Sequence, residues 1–95
     1  MKQALHIQRH PNVIFTVLSD DEAVLLNMEN KFYYTLNSVG SYLWQLLENG
    51  PMSHHAMAID LQKHFEIPDE QARNDVHEFL MNLLEEKLIE ESNVE

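Results

Sequence analysis

The pattern of apolar residues changes near Asn37 from one that is typical of strands to one that is typical of helices. Before Asn37, residues 13–18, 23–28 and 31–36 form three apolar runs that contain many β-branched and aromatic side chains. After Asn37, apolar residues recur at spacings of three and four, which is the period of an amphipathic helix. Strands followed by helices indicate an α+β fold, and the 95 residues leave room for one such domain.

The three apolar runs predict an antiparallel sheet. Polar residues 19–22 end the first run, and Glu29-Asn30 has the composition of a tight turn before the third. Because side chains alternate along a strand, one face of the third run is predicted to point into the core. That face holds Phe32, Tyr34 and Leu36, and the opposite face holds Lys31, Tyr33 and Thr35.

Three helices are predicted after the strands. Asn37 and Ser38 are good N-cap residues for the first helix, and Gly50-Pro51 ends it. The second helix is predicted to begin at Ser53 and to stop before Pro68, where the third begins.

The order of these elements predicts the fold and the domain organisation. The fold class is α+β, with a three-stranded antiparallel sheet followed by three helices, similar to a winged helix-turn-helix. The domain is predicted to span residues 13–90, between an N-terminal extension of residues 1–12 and a frayed tail of residues 91–95.

The excess of acidic side chains argues against nucleic acid as a partner. The chain has 16 acidic and 6 basic residues, which gives a formal net charge of −10 at pH 7. Binding to a phosphate backbone depends on Lys and Arg, and the third predicted helix carries only Arg73 and Lys87 among its many acidic residues. A winged-helix DNA-binding domain is therefore the most distant alternative.

A membrane partner is not indicated either. No apolar stretch approaches the roughly 20 residues of a membrane helix, and residues 1–10 lack the apolar core of a signal peptide. The acidic composition disfavours anionic membranes. Cys is absent, which permits a reducing compartment, and we expect a cytoplasmic protein.

No residue pattern indicates catalysis, a metal or a cofactor. His54 and His55 are adjacent, so on a helix they point about 100° apart and do not present two ligands to one metal. With only Gly40 and Gly50 in the chain, no phosphate-binding loop or nucleophile elbow is present. We expect a non-enzymatic protein with no metal and no cofactor.

The third predicted strand carries three successive aromatic residues, Phe32 to Tyr34. One explanation is the core together with a cross-strand aromatic ladder. The other is that the strand lies at an edge, where its backbone binds an extended peptide and the third helix forms the floor of a groove. A free edge also permits pairing with a second copy of the chain, so a homodimer is left open.

Three motifs resemble the peptide-recognition domains related to PqqD, which are also called RiPP recognition elements. Tyr33 to Gly40 match the family's YY-x-LN-x-x-G segment, and Leu43 to Leu46 resemble its IW-x-L stretch. Asp75 to Leu80, with Leu83, match its DV-x-x-FL-x-x-L helix. Lys87 departs from the family pattern, which often has Gly there.

The resemblance implies a non-catalytic domain that binds the leader segment of a ribosomally synthesised precursor peptide and presents it to modifying enzymes. It implies that the leader adds as a strand beside the third predicted strand and packs on the third helix. The peptide-binding residues that it implies are Lys31, Phe32, Tyr33, Tyr34, Thr35, Leu36, Ala72, Arg73, Val76, His77, Leu80 and Leu83. For Val76 and Leu80, packing in the core is the alternative, whereas Tyr33 and Arg73 need not be buried.

Two natural-product pathways are compatible with this resemblance. Val24 to Asn27, ahead of the aromatic strand, make the chain most similar to the discrete leader-binding proteins of lasso-peptide biosynthesis, which act with a leader protease and a cyclase. The alternative is the peptide chaperone of pyrroloquinoline quinone biosynthesis, which delivers its precursor to a radical enzyme.

Overall fold

The structure, a computed structural model, describes residues 6–92, which form six strands and three helices. The strands are β1 (His6–Arg9), β2 (Val13–Ser19), β3 (Glu22–Asn27), β4 (Tyr33–Leu36), β5 (Met52–Ser53) and β6 (Ile89–Glu91). The helices are α1 (Ser38–Leu47), α2 (His54–Phe65) and α3 (Asp69–Glu85). The α+β fold class predicted from the sequence is confirmed.

The predicted three-stranded sheet is confirmed as β2-β3-β4, with β3 in the centre and both pairs antiparallel. On its inner face, Leu25 lies between Phe15 of β2 and Tyr34 of β4, and Ala23 faces Leu36. Ala23 and Leu25 are fully buried. Among the described residues β4 pairs only with β3, so β4 is an edge strand.

The prediction that Phe32 points into the core is wrong, because a turn occupies the start of the predicted strand. Lys31 has a φ of 67°, a left-handed conformation that redirects the chain. The buried Asn27 side chain accepts hydrogen bonds from the backbone N–H groups of Glu29 and Asn30 and stabilises this turn. Phe32 therefore precedes β4, and 67% of its surface is exposed.

A second antiparallel sheet, with strand order β5-β1-β6, was not expected from the sequence. β1 lies within residues 1–12, which the sequence pattern predicts as an extension, and its Ile7 faces Met52 of β5 and Glu91 of β6. Strands of two to four residues are too short to show clear alternation, and these partners are distant in sequence. Of the predicted tail, Glu91 ends β6 and residues 93–95 lie outside the described residues.

The core lies between the inner face of β2-β3-β4 and the helices. Leu43, Trp44 and Leu47 of α1 are buried in it, and the Trp44 ring stacks on Phe15 at 6.5 Å between centroids. α1 packs on β3 and β4, and α2 and α3 pack on each other.

The predicted helix starts are confirmed by their caps. The Asn37 side chain accepts a hydrogen bond from the N–H of Gly40 at 2.9 Å, and the Ser53 hydroxyl accepts one from Ala56 at 3.1 Å. Pro68 directly precedes α3, where its fixed φ and missing N–H are tolerated. Asn37 therefore joins the end of β4 to the start of α1 with a defined geometry.

Asn37→Ala is expected to lower the free energy of unfolding by about 1 kcal/mol, because an N–H group at the start of α1 loses its partner. Urea denaturation followed by circular dichroism measures this loss. Asn37→Asp is the control, since it keeps the accepting oxygen and should unfold near the wild-type midpoint. An unchanged midpoint for Asn37→Ala would show that this cap does not stabilise the domain.

Candidate functional site

A groove of about 230 Å³ lies between the edge strand β4 and helix α3. Its wall is formed by Tyr34 to Asn37, and the first turn of α1 adds Val39 and Gly40. A Cβ atom on Gly40 would lie 3.0 Å from Cδ2 of Leu36, so the missing side chain lets α1 approach β4 closely. The cap, the glycine and the strand therefore shape one side of the groove.

The free edge of β4 presents backbone groups without partners. The N–H of Asn27 donates to the carbonyl of Phe32 at 3.0 Å, which makes these residues a hydrogen-bonded pair. Such pairs alternate in an antiparallel ladder, so Tyr34 is the next residue that bonds to β3. The N–H and C=O groups of Tyr33 and Thr35 therefore point away from β3. Within residues 6–92, no backbone hydrogen bond from a turn or loop reaches them.

The face of α3 that lines the groove has an apolar floor and a polar rim. Phe79 and Leu83, one helical turn apart, are buried and form the floor. Asp75, Glu78 and Asn82 form the rim and are more exposed. As far as the structure describes the chain, the lining of the groove contains these two carboxylates and no Lys or Arg side chain. An extended chain that enters the groove meets unpaired strand groups on one side and this helix face on the other.

A second depression continues the groove at the far end of β4. It is lined by Thr35 to Asn37, by Asp21 of the turn between β2 and β3, and by Glu22 at the start of β3. Acidic side chains therefore lie near both α3 and the last residues of β4.

The family model for coenzyme PQQ synthesis protein D (PqqD) matches residues 22–89, a segment that includes β3, β4 and all three helices. The chain belongs to the PqqD family. The resemblance carried by the sequence motifs is thereby confirmed. No curated protein has a significant sequence match to the chain.

A solved structure similar to this PqqD domain is described as "TbiB1 in Complex with the TbiA(beta) Leader Peptide". The two chains are 28% identical, and the match covers 87% of this chain and 94% of that one, with a TM-score of 0.75. The family match, over residues 22–89, includes both sides of the groove.

The structure distributes the predicted strand residues of the PqqD domain over three locations. Tyr34, Thr35 and Leu36 line the groove. Tyr33 lies on the outer face of the sheet, paired with Leu26, and is 75% exposed. Lys31 and Phe32 lie in the turn before β4.

The predicted helix residues are mostly in the core. Leu83 lines the groove, but Ala72 and Val76 are fully buried and Leu80 is buried as well, and none of these three lines it. For Val76 and Leu80 the structure thus favours the packing alternative over direct ligand contact.

Arg73 and His77 are exposed but do not line the groove. The Arg73 side chain pairs with Asp69 at 3.1 Å, one turn earlier on α3. The His77 ring lies 6.4 Å from that of His54, whose pKa is lowered by burial first and then by His77. Burial, and then Asp60, raise the pKa of Tyr42, which also lies outside the groove.

Four residues of α3 that line the groove are absent from the predicted site. They are Asp75, Glu78, Phe79 and Asn82. Their spacing, together with Leu83, marks a second helical stripe beside the apolar one. That spacing is the one feature of the sequence that could have pointed to these four residues, but it does not reveal which stripe of α3 faces β4.

Residues 6–92 contain neither a cluster suited to a metal ion nor a helix suited to a membrane. No group of three or more His, Cys, Asp or Glu residues is arranged to hold a metal ion within this segment. Of the helices it contains, none has the length and apolarity needed to cross a membrane.

Proposed function

We propose that this PqqD-family protein recognises the leader segment of a ribosomally synthesised precursor peptide and has no catalytic activity of its own. The observation that carries the proposal is the free edge of β4 running along the groove on α3. The solved complex of TbiB1 with a leader peptide supports it, because that chain has the same fold at 28% identity.

The proposed binding mode is strand addition to β4. The outward N–H and C=O groups of Tyr33 and Thr35 would pair with the backbone of the leader and set its register. Alternate leader side chains would then point towards Phe79 and Leu83 in the groove. The remaining leader side chains would lie on the outer face of the sheet, beside Tyr33.

The enzymes that receive the leader are proposed from the sequence resemblance. In lasso-peptide biosynthesis, these enzymes would be a leader protease and a cyclase. In the alternative, pyrroloquinoline quinone biosynthesis, the enzyme would be a radical enzyme. Ribosomal synthesis of the precursor, together with the absence of Cys, supports a cytoplasmic site of action.

Fluorescence polarisation tests the proposal directly. The purified protein is titrated against labelled leader peptides from precursor genes encoded beside its own gene, against a scrambled peptide of identical composition, and against a DNA duplex. Saturable binding of a leader, and not of its scrambled control, is expected. Duplex binding that weakens with salt, without leader binding, would contradict the proposal and favour the winged-helix alternative.

Tyr33→Ala is expected to weaken leader binding by about threefold to fivefold, because the leader side chain beside Tyr33 on the outer face of the sheet loses its contact with the aromatic ring. Stability should change little, since the side chain is 75% exposed. Polarisation titrations of Tyr33→Ala and of the control Tyr33→Phe measure the effect. Equal affinities of the wild type and Tyr33→Ala would show that the leader makes no contact with this position.

The free edge of β4 could also pair with β4 of a second copy of the chain, and such a homodimer would compete with leader binding. Light scattering during size-exclusion chromatography, with and without a bound leader, distinguishes the two. Pairing between copies through β4 predicts a dimer that dissociates when the leader binds.

A further inference from the structure

We propose that Asp75 and Glu78 select leaders that carry a basic side chain on the face turned towards α3. This inference rests on the proposed function and names the chemistry of its ligand. Both carboxylates belong to the lining of the groove, directly beside the apolar floor of Phe79 and Leu83. The groove and the free edge of β4 define the site, and the acidic rim determines which side chains it accepts.

Both carboxylates lack a cationic partner among the described residues. The one ion pair within residues 6–92 joins Arg73 to Asp69, so the Lys or Arg side chain of α3 that is nearest in sequence is already paired. Among residues 6–92, no Lys or Arg side chain lines the groove. A leader that brings a Lys or Arg side chain would therefore supply the missing partner, whereas a leader carboxylate would meet like charge.

Two acidic residues where the turn after β2 leads into β3 strengthen this selection. Asp21 and Glu22 line the depression at the far end of β4, so the path along the strand has acidic groups at its end as well as on its α3 side. With a net charge of −10, the whole molecule attracts cationic peptides and repels anionic ones.

The distance along α3 between a rim residue and a floor residue is similar to the distance between successive side chains on one face of an added strand. Side chains on one face of a strand recur about every 6.6 Å, because each residue rises about 3.3 Å. One helical turn of four residues, such as Asp75 to Phe79, rises about 6 Å. If the added strand runs along α3, a leader whose apolar side chain lies over Phe79 would place the side chain two residues away close to Asp75. The expected pattern in the leader is a basic and an apolar residue separated by one position.

The test measures leader affinity for the full-length protein and a matched pair of double variants. Asp75→Asn with Glu78→Gln removes the charge of the rim, and Glu70→Gln with Glu85→Gln removes the same charge from α3 outside the groove. The probes are labelled leader peptides from the neighbouring precursor genes, with each Lys or Arg changed singly to Gln or Glu. Titrations at low and high salt are compared, and circular dichroism checks the fold of each variant.

The double variant Asp75→Asn with Glu78→Gln, the rim variant, is expected to bind leaders about tenfold more weakly than the wild type and to lose most of the salt dependence of binding. The affinity of the control variant, Glu70→Gln with Glu85→Gln, should stay within about twofold of the wild type. One Lys or Arg of the leader should produce the same loss when changed to Gln. A leader with Glu at that position should bind Glu78→Lys better than it binds the wild type.

Two results separate failure of this inference from failure of the proposed function. If leaders bind the wild type and the rim variant equally, or if no basic residue of a bound leader matters, the charge selection is refuted and leader recognition stands. If no leader binds the wild type, the proposed function fails, and the inference fails with it.

Discussion

Thr35→Pro is expected to reduce leader affinity by at least about 30-fold while the protein stays folded. The N–H of Thr35 points to the free edge of β4, so proline removes a donor that only an added strand uses. The proline ring also occupies the space of the incoming backbone. Proline is tolerated on an edge strand when its nitrogen faces away from the sheet, so the pairing of β4 with β3 should persist. Polarisation titration measures affinity, and circular dichroism measures the fold.

Two companion variants make this experiment specific to strand addition. Thr35→Val keeps the N–H and the branched shape, and it should bind leaders nearly as well as the wild type. Tyr34→Pro removes an N–H that faces β3, and it should destabilise the domain itself. A folded Thr35→Pro protein with wild-type affinity would contradict strand addition at β4.

Val76→Asp is expected to lower the free energy of unfolding by about 4 kcal/mol or more, because it places a carboxylate at a position with no solvent exposure. For a domain of this size, such a loss corresponds to a fall in melting temperature of about 20 °C or more. Leader binding should disappear together with the folded state. Thermal unfolding followed by circular dichroism, run beside a binding titration, measures both effects.

Asn74→Asp provides the matched control for Val76→Asp. It adds the same charge to α3 at an exposed position outside the groove lining, and it should change stability by less than about 0.5 kcal/mol. A Val76→Asp protein that folds normally but no longer binds leaders would assign Val76 to the ligand, as the family resemblance implies. A loss of the fold would assign it to the core.

Local sequence signals account for the elements on both sides of the groove. Apolar runs that contain many β-branched and aromatic residues identify β2, β3 and β4, and polar turn residues separate them. Asn37 and Ser53 mark helix starts because their side chains satisfy N–H groups within three residues. The motifs around Tyr33 to Gly40 also indicate the family, since that segment joins the edge strand to α1. Each of these signals depends on neighbours in the chain.

The sequence alone therefore determined the main sheet, the three helices and the family, and it left an edge position of the third strand as one of two explanations. The strand order of the structure decided that β4 lies at an edge, because within residues 6–92 it pairs only with β3. Only the tertiary structure decided that residues 6–9 join a second sheet, because their partners in β5 and β6 are remote in the chain. It also decided which stripe of α3 faces β4. The stripe of Ala72, Val76 and Leu80 and the stripe of Asp75, Phe79 and Leu83 both have helical spacing, so sequence periodicity cannot rank them. Packing of α3 on α2 buries the first stripe and leaves the second to line the groove.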